Sequence, residues 1–92
     1  MKISYGAQFA RSLNRLHKNQ KRALDKAVMA IAANPKLGDA KIGDLTGVSV
    51  YKFKANQTQW LLAYRIVSRQ EITLLVFGPH ENFYRDLKKS DQ

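Results

Sequence analysis

The chain is 92 residues long, 45% hydrophobic and without cysteine, and 16 Lys plus Arg against seven Asp plus Glu give it a formal charge of +9. That length allows one small domain, 1–92, burying a little over ~60% of its unfolded surface. The missing thiols remove disulfide and thiolate chemistry, and only two histidines remain to argue for a structural zinc site, which is too few. No apolar run approaches the ~20 residues of a membrane span. The opening MKISYGAQFARS lacks the apolar stretch of a signal peptide, so a cytoplasmic protein is expected.

In chain order, KISY (2–5) reads as a short strand. Phe9, Leu13 and Leu16 then recur at helical spacing, and Leu24, Ala27, Val28 and Ile31 repeat the pattern after a polar break at 17–20. A helical hairpin follows, roughly 7–17 and 20–33, ended by Asn34-Pro35 because proline disfavours helical geometry in the residue before it. Residues 35–47, with three Gly and one Pro, read as a loop. From Val48 the period becomes two: Ser49, Tyr51 and Phe53 share one face, and Val48, Val50, Lys52 and Lys54 the other. Strands at 48–54, 59–67 and 71–77 with short connections predict an antiparallel meander, and Gly78-Pro79 predicts a bend before a helix at about 81–89. The expected fold is α+β: an N-terminal strand, a helical hairpin packed on an antiparallel meander, and a short C-terminal helix.

The charge is concentrated. Lys2, Arg11, Arg15, Lys18, Lys21 and Arg22 precede the first acid, and Lys52, Lys54, Arg65 and Arg69 form a second acid-free block. Such blocks point to a polyanion, most often nucleic acid; the plain alternative is a solvated basic surface. If Tyr51 and Phe53 face the helices, Lys52 and Lys54 lie on the opposite face. FGPHENFY (77–84) can bend back over it, so Lys52, Lys54, Arg65, His80 and Tyr84 are expected to converge.

Three segments, in this order, resemble the RelE/ParE superfamily of type II toxin–antitoxin toxins. YKFK (51–54) is similar to the Tyr-Lys-aliphatic-Lys strand of RelE. WLLAYRI (60–66) and GPHENFY (78–84) resemble the corresponding strand and the His-containing ending of the YafQ branch, and LTG (45–47) is also a common family feature. The resemblance implies a RelE-like fold and a toxin neutralised by a cognate antitoxin. In the RelE/YafQ branch, it further implies an endoribonuclease that cuts messenger RNA in the ribosomal A site, among ribosomal RNA. In the ParE branch, the implied partner is DNA gyrase, poisoned without catalysis. A degenerate toxin, kept as an antitoxin- or nucleic-acid-binding module, is a third reading. Residue by residue, Lys52 and Lys54 match the RelE lysines, His80 the YafQ-type histidine and Tyr84 the terminal aromatic. Two positions depart: Leu61 stands where RelE has an arginine, for which Arg65 is the substitute candidate, and Gln59 stands where YafQ-like toxins carry an Asp.

These residue types suit RNA cleavage with no metal or cofactor. The ribose 2′-OH attacks the adjacent phosphorus, so the site must take one proton, give one to the departing 5′-oxygen and stabilise a dianionic transition state. Imidazole, titrating near ~6.5, suits the proton transfers, and cations suit the charge. His80 is assigned to proton transfer, Lys52, Lys54 and Arg65 to phosphate, and Tyr84 to orientation or proton transfer. Arg11, Arg15, Lys18 and Arg69 are expected to contact RNA. Each has a plainer reading: His80 as a turn residue, Tyr84 as packing, the lysines as a solvated face, and Arg65 as a partner of Glu71. Glu81 is read as a helix-start residue, His17 as solvated and Trp60 as core.

Overall fold

The computed structural model describes residues 1–80 together with Phe83, Tyr84 and Leu87. Strand β1 (Lys2–Tyr5) leads into α1 (Ala7–Leu13) and α2 (Lys18–Ala33). A 3-10 turn (Pro35–Leu37), β2 (Asp39–Ala40) and a second turn (Gly43–Leu45) precede β3 (Val48–Ala55), β4 (Thr58–Ser68) and β5 (Glu71–Pro79). The sheet order is β1-β5-β4-β3-β2, with β1 parallel to β5 and the other pairs antiparallel. The α+β expectation holds.

Two differences lie in the helical hairpin and the loop. The helix expected to reach 17 stops at Leu13, and α2 begins at Lys18, where the Gln20 side chain accepts from the His17 backbone N–H at 3.0 Å. That contact caps the helix start and gives His17, though exposed, a local structural role. The loop at 35–47 contains β2, whose Asp39 and Ala40 pair with Val50 and Ser49. Two residues carry too short an alternation to be recognised in a sequence.

Pleating makes two faces of the sheet. On the first, Trp60, Leu62, Tyr64, Ile72, Leu74 and Phe77 pack against Phe9, Leu24, Ala27 and Ile31 of the helices. On the second, Val48, Val50, Leu61, Ala63 and Val76 are covered by Phe83 and Leu87. The chain after β5, expected to bend back over this face, seals its centre. His80, Phe83, Tyr84 and Leu87 are all helical, in keeping with the expected C-terminal helix, most of whose range lies outside the described residues.

A bulge in β5 decides which face the end of that strand presents. Ala63 pairs with Val76 while Tyr64 pairs with Leu74, so Leu75 is the extra residue. An extra residue shifts the alternation of everything after it. Phe77 therefore joins the helix-side core, and Gly78 falls beside Leu61 on the second face. The expected bend at Gly78-Pro79 is displaced: both residues remain in β5, Pro79 opposite Trp60, and the helix starts at His80.

Candidate functional site

The second face is organised in rows across the strands. Lys52, Leu61 and Gly78 form one row; Val50, Ala63 and Val76 the next; Val48, Arg65 and Thr73 a third. Lys52 and Gly78 are separated by one strand, about 10 Å at the usual spacing. His80 follows Gly78 by two positions, exposed at the mouth of this first row.

Helical spacing then brings Tyr84 beside His80, because positions i and i+4 lie on one helix face. Their ring centroids are 6.1 Å apart at 80°, edge to face. Phe83 is 1% exposed and anchors the turn in the second-face core, with its ring 5.1 Å from that of half-buried Tyr84. The buried phenylalanine thus fixes the position of the tyrosine. On the other side, Lys41 brings its Nζ to 5.8 Å from the Tyr84 ring centroid, a cation–π contact. Lys41 reaches this face because its N–H bonds the Val48 carbonyl at 2.9 Å, extending the β2–β3 ladder by one residue. Sequence reasoning missed it. The only signal was its place just beyond a two-residue strand.

The structure brings His80 and Tyr84 together and puts Lys52 and Lys54, both exposed, on β3, across β4 from the end of β5. Arg65 stands apart. It shares the face but lies four residues along β4 from Leu61, about 13 Å at strand rise. Its guanidinium leans against Gly47, where a methyl group would come within 2.8 Å of Nη1. Arg65 therefore reaches toward Gly47, away from Lys52. Leu61 itself is 0% exposed, so the first row holds an aliphatic side chain between Lys52 and Gly78. Across the hairpin Arg65 is opposite Thr73, whereas Glu71 is opposite Ser68.

The remaining candidates are dispersed. Arg11 lies in the last turn of α1, Arg15 in the connection and Lys18 at the start of α2, all exposed on the helix side. Arg69 lies in the turn after β4, at the end of the sheet away from His80. Trp60 is core, stacked on Phe77 with centroids 6.0 Å apart. Glu81 lies outside the described residues. No described helix is long and apolar enough to cross a membrane.

A family model described as the ParE-like toxin of type II bacterial toxin–antitoxin systems matches residues 3–88. The chain belongs to this toxin family. Its fold is that of RelE: the structure of the E. coli toxin RelE, an arginine double mutant in the free state, superposes with a TM-score of 0.72. That match covers 96% of this chain and 94% of the other at 14% identity. No curated protein matches by sequence. As a type II toxin, the protein has a cognate antitoxin as its partner.

Proposed function

We propose that this toxin is an endoribonuclease that cuts messenger RNA in the ribosomal A site, with His80 and Tyr84 at the reacting bond. The observation that carries the reading is the edge-to-face His80–Tyr84 pair at the end of β5, across β4 from the exposed Lys52 and Lys54 of β3. The 2′-oxygen bonds to phosphorus, its proton passes to a base, and the P–O5′ bond breaks as that oxygen takes up a proton. The products are a 2′,3′-cyclic phosphate and a 5′-hydroxyl. His80 serves proton transfer, and Tyr84 orients it or donates to the phosphate. Lys52, Lys54 and Lys41 supply the charge that the neutral Leu61 does not. Arg65, which leans the other way, is left out of the catalytic set. The antitoxin inhibits by covering this cationic face.

The ParE-like family description and the aliphatic Leu61 favour a second reading, a non-catalytic poison of DNA gyrase. Growth on inducing the toxin separates the two. Under the nuclease reading, His80→Ala and the Lys52→Ala/Lys54→Ala pair restore growth while circular dichroism and melting curves show that the fold survives. Full toxicity of folded His80→Ala, together with inhibited supercoiling, supports the gyrase reading instead.

A further inference from the structure

A cleft of about 310 Å³ lies between α2 and β3, on the helix side of the sheet. Arg22 and Lys26, one helical turn apart and both exposed, form one wall. The half-buried rings of Tyr51 and Phe53 form the other, with Lys54 at the end of the strand. Ala23 leaves room between them. Among the described residues, three cationic residues and no carboxylate line the cleft. The nearby Asp25 is engaged with Lys21 at 3.6 Å.

The cleft borders an open strand edge. Among the described residues, β2 pairs with β3 only at Ser49 and Val50, and Lys41 adds a bond to Val48. From Tyr51 to Ala55 the outer edge of β3 has no neighbouring strand, so a chain leaving the cleft can cross that edge to Lys52 and the His80 side. Cations beside partly exposed aromatic faces are the chemistry that holds single-stranded nucleic acid: charge tracks the backbone and the rings stack on a base. An acidic peptide would use the cations and leave the ring faces idle.

We infer that this cleft is a binding subsite for one nucleotide of single-stranded RNA flanking the cleaved bond, its base on Phe53 and Tyr51 and its phosphates against Arg22, Lys26 and Lys54. The inference rests on the RNA reading of the toxin, but its test does not depend on cleavage. A fluorescent all-2′-deoxy oligonucleotide, which has no 2′-OH and cannot be cut, is titrated into the full chain by anisotropy at several salt concentrations. Arg22→Ala/Lys26→Ala is compared with Lys2→Ala/Lys36→Ala, which removes the same charge away from the cleft. The cleft pair lowers affinity about tenfold and reduces the log–log salt slope by about 1.4, while the comparison pair leaves the slope nearly unchanged. Phe53→Leu weakens binding about fivefold at unchanged slope. Equal behaviour of the two double variants, with matching melting curves, overturns the proposal. So does a cleft pair that loses antitoxin affinity and keeps the oligonucleotide. A folded His80→Ala that stays toxic refutes the nuclease reading and leaves this result standing.

Discussion

Tyr64 ties the sheet to the segment after α2. It is 0% exposed in the middle of β4, yet its hydroxyl leaves the core to accept from the Gly38 N–H at 2.9 Å and to donate to the Pro35 carbonyl. Two bonds thereby tie the 3-10 turn after α2 to the sheet and set up the start of β2. Gly38 is required by closeness: a methyl group there would come within 2.5 Å of the Tyr64 hydroxyl oxygen. Tyr64→Phe removes the partner of a part-buried N–H and a part-buried carbonyl, so we expect a loss of about 1 kcal/mol in urea denaturation. Burial, ahead of every other influence, pushes the Tyr64 phenol above its ordinary value. The folded state therefore holds that proton more tightly than the unfolded chain does. This contribution is intact below pH ~10 and is lost as pH rises through the folded value. The stability gap between wild type and Tyr64→Phe should accordingly narrow above pH ~10, read as melting temperature against pH. Neither role was legible in the sequence, where Tyr64 was one aromatic in an apolar strand.

At the scale of elements, the β3–β4 hairpin carries a strained turn. Asn56 and Gln57 have φ of 52° and 67°, and Ala55 pairs with Thr58, so the loop is a two-residue turn with both centres left-handed. Asparagine tolerates that region and glutamine does not. Gln57→Gly relieves the strain at some entropic cost, and we expect a gain of about 0.5–1 kcal/mol, measured by urea denaturation. The hairpin was readable because β3 alternates and only a short polar connection separates it from the apolar run of β4. The β5 bulge was not: it depends on how Ala63 and Tyr64 meet their partners, which no local pattern records. It sets the phase in which β5 delivers Gly78 and His80 to the second face. The face assignments of Tyr51, Phe53 and Lys52 were legible because β3 has no bulge, whereas Lys54, at the end of the strand, also lines the helix-side cleft; the face of Arg65 was legible, but its direction was not.

Over the whole molecule, the sheet is covered on both faces: the helices seal one, and Phe83 with Leu87 seals the centre of the other. The site lies at the margin of that second cover. Phe83→Ala opens a cavity under the segment that carries Tyr84, and we expect a cost of about 3–5 kcal/mol together with a loss of toxicity. That is a large share of the ~5–15 kcal/mol available to a domain. Tyr84→Phe keeps the packing ring and removes the hydroxyl, so in the same assay it should lower toxicity with stability nearly unchanged. The order of elements and the basic character were plain from the sequence. The arrival of Lys41 at Tyr84 was hidden in a stretch that read as a loop. Messenger RNA cleavage through His80 is tested by expressing wild type and His80→Ala briefly and mapping the 5′ ends of cellular messenger RNA. We predict new ends in phase with codons for wild type and none for His80→Ala. Intact messenger RNA during growth arrest by wild type, or the same cuts with the variant, would contradict it.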